Sequence, residues 1–182
     1  MKNEPYSAKI LRIFFWIAIG VTVVAFLLMR FVTEGLAASR IVEFELAKTT
    51  TKAQELMQSW GAEGTVRFLN GIYADFIFII GYVAALFFGC RYMGHLSGHS
   101  IFKKAGYVFS FFGIIAGICD TLENIGILYT IQRKVTGWVV HFTYDMAFVK
   151  FSLLFIVLLF IIICLFFRGI DKLTANRKSF IL

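Results

Sequence analysis

Apolar residues in this chain gather into four long runs, Ile13 to Met29, Phe68 to Cys90, Ala105 to Ile131 and Trp138 to Phe167, separated by polar segments. A helix needs about 20 mostly apolar residues to cross a bilayer, so each run predicts one transmembrane helix. The last run is long enough to tilt or to project beyond the lipid. The expected fold is therefore all-α, a four-helix transmembrane bundle in a single membrane domain covering residues 1–182. The first run follows Lys2, Lys9 and Arg12, and its 17 residues exceed the usual signal-peptide core of about 7 to 15. It reads as a retained anchor rather than a leader cleaved near Ala37, Ala38 and Ser39.

The polar segment 30–67 has a pattern of its own. Val42, Phe44 and Leu46 alternate with Glu43 and Glu45, after which Ala53, Leu56, Met57 and Trp60 recur at i, i+3, i+4 and i+7, the period of an amphipathic helix. Thr51 with Gln54 three residues on resembles a capping box, and Gly61 suits the stop. A short helix on the membrane surface or over the bundle mouth is expected, with Trp60 at head-group depth. Gly81, Ala85 and Gly89 in the second run, and Gly113 and Gly117 in the third, are small residues at four-residue spacing and predict close packing of these two helices.

Composition agrees with lipid as the solvent: 59% of the 182 residues are hydrophobic, 22 are Phe and one is Pro, and the mean hydropathy is +0.80. The net charge of +7 raises the question of nucleic acid. The Lys and Arg residues flank the apolar runs, with no basic stripe and no nucleic-acid-binding motif, so they read as topology signals and lipid head-group contacts. The termini and the segment 91–104 carry ten Lys and Arg, and the other side carries seven. The positive-inside rule then places both termini in the cytoplasm of a multi-pass cell-membrane protein. Cys90, Cys119 and Cys164 show no C-x-x-C spacing and are expected as packing residues. His95 and His99 have the i, i+4 spacing of a metal pair, but Gly94 and Gly98 argue against a helix there, and a solvated loop is expected.

The informative residues are those that lipid should exclude. Asp75, Asp120, Glu123, Asp145 and Lys150 all lie within the predicted spans, where an ionised side chain costs about 2.5 to 3.5 kcal/mol even on a lenient scale. Counted from Arg91, Lys104 and Arg168 at about 1.5 Å per residue, Asp75, Asp120, Glu123 and Lys150 all come out roughly 24 to 28 Å above those anchors. Four ionisable groups from three helices share a level. Asp145 and His141, one face of the last helix, sit one and two turns higher. Asn124, Tyr73 and Tyr144 are the polar neighbours expected round the cluster. With one Lys against four carboxyls, some must be protonated or meet a cation.

The segments Phe44-Glu45-Leu46-Ala47, Trp60-Gly61, Asp75-Phe76 and Asp120-Thr121-Leu122-Glu123-Asn124 resemble a pattern of small uncharacterised bacterial four-span integral membrane proteins. The resemblance covers the segment 30–67 and the second and third spans, implies that they form one unit, and carries no activity with it.

Three functions compete. The first is a bundle binding a lipid or small amphiphile, or serving as an accessory subunit, with Asp75, Asp120, Glu123, Asn124, His141, Tyr144, Asp145 and Lys150 as the candidate binding residues. Its partners would be membrane lipids and a second copy or another membrane subunit, with no nucleic acid. The second is an intramembrane enzyme acting on a lipid, with Asp120, Glu123 and Asp145 as acid and base candidates. The third is an oligomeric proton or cation transporter. Binding ranks first. Thr121 and Ser152 are weak nucleophile candidates because a lone hydroxyl in a span usually bonds its own helix backbone. There is no recognised metal motif, no cofactor is called for, and the span 151–167 is too apolar for a through-path.

Overall fold

A computed structural model describes residues 6–36 and 38–179. Ala37 and Lys2 lie outside them. Five helices follow in order: α1 Tyr6–Val32, α2 Ala38–Glu45, α3 Thr50–Leu96, α4 Ser100–Gln132 and α5 Gly137–Ser179. The described residues contain no strand, and the architecture is a four-helix bundle with one short additional helix. Four of the helices, α1, α3, α4 and α5, are long and apolar enough to cross a membrane. Large apolar side chains on them face outward, among them Phe31, Ile80 and Phe155 at 74, 70 and 68% exposure. Only lipid makes that arrangement favourable on every helix at once. The chain is a multi-pass membrane protein.

The expected amphipathic helix is the first part of α3. Thr49 rather than Thr51 caps it, its hydroxyl accepting from Lys52 N at 3.2 Å. At Gly61 the backbone leaves helical geometry with φ 66° and ψ −173°, a conformation open to glycine alone at no steric cost. The chain then resumes directly as the second span, so Gly61 is a kink and not a terminus. Leu56 and Ala53 are buried and Met57 and Trp60 pack beside them, whereas Lys52 and Glu55 are exposed. Trp60 sits against Phe44 and Phe68, with ring centroids 5.3 and 4.7 Å away. The segment is docked on the bundle.

Residues 42–46 do not continue the alternation into an extended segment. Eight residues close into α2, which turns Phe44 and Glu45 inward and leaves Val42 exposed. Helical phase, not period two, decides which Glu is buried.

The small-residue stripes divide differently from expectation. Gly113 and Gly117 on α4 do face α3, against Leu86 and Val83, but Gly81 and Gly89 face α1, against Thr22 and Phe15. The closest approach of α3 and α4 lies elsewhere, at Gly94 and Gly106, each beneath a backbone carbonyl of the other helix, Phe102 and Cys90 respectively. That contact keeps residues 94–96 helical despite Gly94, and the turn falls at Gly98 with φ 76°. His95 is therefore helical, not in a loop. His99 begins α4 and its Nε2 lies 3.4 Å from Asp171 Oδ2.

Two apolar clusters bracket the molecule. One joins α2 to the bundle through Leu36, Phe44, Leu56, Phe68, Ile127 and Val140. The other, at the opposite end, holds Cys90, Val157, Phe160 and Cys164, with Phe109 stacked on Phe160 at 4.3 Å. All three cysteines are free and buried. Between the two clusters lies the polar level.

Candidate functional site

Lys150 reaches from α5 into the bundle and is 5% exposed. Its ammonium stands 2.7 Å from Glu123 Oε2, 3.0 Å from Asp120 Oδ1 and 3.6 Å from Glu45 Oε2. Asp120 and Glu123 are one turn apart on α4, so both project to the same neighbour. Asp120 Oδ2 accepts from the Tyr82 hydroxyl of α3 at 2.8 Å. Asp75, also on α3, accepts from the Asn124 amide at 2.7 Å. Glu123 is completely buried, and its Oε1 has no hydrogen-bond partner. Three carboxyls from two helices, α2 and α4, thus face one ammonium, and a fourth, Asp75 of α3, joins the cluster through Asn124.

The level counted along the sequence corresponds to a physical cluster for Asp75, Asp120, Glu123, Asn124 and Lys150. It does not extend to the upper residues of α5. Asp145 is exposed, away from Lys150. His141 is exposed and its Nδ1 lies 3.3 Å from the Lys48 carbonyl, while Lys48 Nζ sits 4.5 Å above the Tyr144 ring. Those residues form a separate polar group at the α2 end. Tyr73 is turned outward and accepts from Gln132 at 2.8 Å.

Two members were missed by sequence reasoning. Tyr82 had no signal beyond being a polar atom two turns from Asp75. Glu45 lies outside the spans, so a count of depth along spanning helices could not reach it. Its signal was the run Phe44-Glu45-Leu46 read with helical period, which puts Glu45 on the same face as Ile41 and one residue from buried Phe44.

Glu45 is carried into the cluster by α2, and burial first of all pushes its carboxyl up to about 7, with Lys150 opposing and Asp120 and Asp75 adding to the rise.

The cluster forms one wall of a cavity of about 460 Å³ between α1 and α5, with α3 as its floor. Apart from the cluster the lining is mostly apolar, including Ile19, Met29, Phe78, Leu154 and Leu158. From Lys150 the apolar wall continues to Leu158, about 12 Å along α5. Val42, Phe151 and Leu158 line the cavity and are themselves exposed, so it opens sideways from the bundle. The volume falls in the range of small-molecule sites, about 300 to 1,000 Å³.

No His, Cys, Asp or Glu group of three or more among the described residues is arranged to hold a metal ion. Neither of the candidate nucleophiles is available, since Thr121 and Ser152 donate to the carbonyls of Gly117 and Phe148, both at 2.8 Å. Comparisons with protein-family models, curated proteins and solved structures match nothing to this chain.

Proposed function

We propose that this chain is a cell-membrane bundle with cytoplasmic termini that binds a lipid or small amphiphile through a polar site in the outer half of the bilayer. The observation that carries this reading is the shape and chemistry of one cavity: an apolar, sideways-opening groove with the buried carboxylate and lysine cluster set in its wall. An amphiphile diffusing in the bilayer meets such a groove without leaving lipid. Its chain replaces lipid contacts with those of Ile19, Leu154 and Leu158, and its head reaches groups that pure hydrocarbon would leave unsatisfied. The protein would act alone, as a homo-oligomer or as the accessory subunit of another membrane protein.

Two features favour binding over the competing functions. Asp145, an acid candidate for an enzyme, is exposed away from the cluster, and the two hydroxyls nearest in role are bonded to their own helices. A proton or cation path would have to cross the packed cluster of Cys90, Val157, Phe160 and Cys164, which offers no polar side chain beyond thiols.

The reading is tested by extracting the protein in mild detergent and identifying small amphiphiles retained in native mass spectrometry. Ala85→Phe and Leu154→Trp fill the groove and should each abolish retention while leaving helix content and elution volume unchanged. An identical set of bound molecules in the wild type and both filled variants would remove the groove from consideration.

A further inference from the structure

The polar wall of the groove has a donor and acceptor inventory that restricts what can bind there. Seven polar side chains line it: Thr22, Thr33, Glu45, Asp75, Tyr82, Asp120 and Lys150. Every hydroxyl donor among them is already used. Thr22 and Thr33 donate to the carbonyls of Ala18 and Met29 at 2.7 and 2.8 Å. Tyr82 donates to Asp120. An ammonium has three N–H bonds, and Lys150 faces three carboxylates, Glu123, Asp120 and Glu45. Two are taken by Glu123 and Asp120 at 2.7 and 3.0 Å, and the third is left with the 3.6 Å ion-pair contact to Glu45.

What remains on the wall is carboxyls. Asp75 has a single hydrogen bond among the described residues, from Asn124 to Oδ2, which leaves Oδ1 open. Glu45 has only the long 3.6 Å contact with Lys150. Behind them the fully buried Glu123 takes the shortest contact with the one ammonium and still has an unpartnered Oε1, so the cluster's single positive charge is spent on its deepest members. Asp75 faces the groove with no cation within ion-pair distance among the described residues, and Glu45 with only the 3.6 Å contact to Lys150.

We propose that the amphiphile is cationic: a long alkyl chain bearing a primary ammonium, whose N–H groups are received by Asp75 and Glu45. This rests on the reading that the groove holds an amphiphile, and it names the head group. An ammonium supplies the missing donors and offsets the surplus negative charge in one group, and a charge-assisted hydrogen bond in a dry site is about twice as strong as a neutral one. A carboxylate or phosphate head would meet no free cation there and would add charge to an acidic wall.

The test uses the full chain in phosphatidylcholine nanodiscs and four probes: hexadecylamine, hexadecanol, hexadecanoate and butylamine. Saturable binding is defined as the part lost in Leu154→Trp, which separates the groove from bulk partitioning. Hexadecylamine should bind at least about tenfold more tightly than hexadecanoate, as expected from one charged hydrogen bond gained or left unmade, with hexadecanol between them. Butylamine should not compete, because it has the head without the chain. In Asp75→Asn and in Glu45→Gln the preference of amine over carboxylate should shrink severalfold, with unchanged helix content and elution volume showing that each variant is folded. Equal or tighter binding of hexadecanoate, or an amine preference unchanged in both variants, overturns the head-group assignment and leaves the amphiphile reading standing. No saturable binding of any sixteen-carbon probe overturns the amphiphile reading itself, and competition by butylamine shows a site for free amines rather than for a lipid.

Discussion

Lys150 is where sequence, packing and electrostatics meet in one side chain. Burying an ammonium is costly, and its attraction to nearby carboxylates offsets that cost only when geometry is good and the remaining polar atoms are satisfied. Here two contacts at 2.7 and 3.0 Å supply the geometry. The pair need not be more stabilising than an apolar pair of similar volume, but breaking it from one side leaves an uncompensated charge, at a cost of about 3 to 5 kcal/mol. Lys150→Met should therefore destabilise the bundle by an amount of that order in a denaturation series in mixed micelles. Adding Glu123→Gln to Lys150→Met should restore part of the loss, because one buried carboxylate fewer is then left without its cation, Asp120 remaining. A double-mutant cycle in which the two losses simply add would show that the 2.7 Å contact contributes no coupling.

Among the elements, α2 is the one poised to move. It is eight residues long, far below what an isolated helix needs to persist, so its structure depends on what it docks against. Phe44 holds it through Trp60 and Phe68, and Glu45 holds it through Lys150. The Glu45 carboxyl faces Asp75 from α3, Asp120 and Glu123 from α4 and Lys150 from α5, and burial raises it from 4.5 to about 7. A carboxyl whose value is raised on docking binds its proton more tightly when docked. Docking is then strongest below pH 4.5, weakens as pH rises towards 7 and stays at the weaker level above that. Hydrogen exchange across residues 38–45 should be faster at pH 8 than at pH 5 after correction for intrinsic rates, and Glu45→Gln should flatten the difference. An equally large difference in the variant would assign it to another group. Trp60→Ala removes the ring that packs on both Phe44 and Phe68 and should speed proteolysis between Arg40 and Arg67. Unchanged cleavage would mean that Trp60 does not hold the segment. These short-range features were also the hardest to read from sequence. The run 42–46 fits period two and a single helical turn equally well, and only the packing of Phe44 on Trp60 chooses between them. The glycine stripe of α3 shows that a backbone approaches there but not which one, and α1 rather than α4 meets Gly81 and Gly89.

At the scale of the whole molecule, the four spans and the shared polar level were legible because both follow from fixed lengths: bilayer thickness sets the span and a constant helical rise sets the depth. What that reckoning lacks is direction around each helix axis, which is why Asp145 was grouped with acids it does not meet and Glu45 was left out. Orientation across the membrane is the remaining whole-molecule property, and charge alone argues it. The end bearing the α3–α4 turn carries Arg91, Lys103, Lys104 and Arg168, where Arg91 lies over Phe87 and Tyr107 at 3.9 and 4.8 Å and Arg168 donates to the Leu96 carbonyl at 2.9 Å. Basic residues fixed at an interface in this way resist translocation, and the proposed topology, which follows the positive-inside rule, has that end in the cytoplasm and α2 and the first part of α3 on the other side. Because Cys90, Cys119 and Cys164 are buried, their replacement by Ala gives a background for single-cysteine labelling. Ser100 and Glu55 are exposed at opposite ends of the bundle, whereas Ser97 in the turn is buried and would label poorly from either side. In intact cells an impermeant maleimide should label Glu55→Cys and should label Ser100→Cys only after the membrane is opened. Labelling of Ser100→Cys in sealed cells, with Glu55→Cys protected, would invert the topology and move the groove's polar wall to the cytoplasmic leaflet, where the ligand would have to be sought instead.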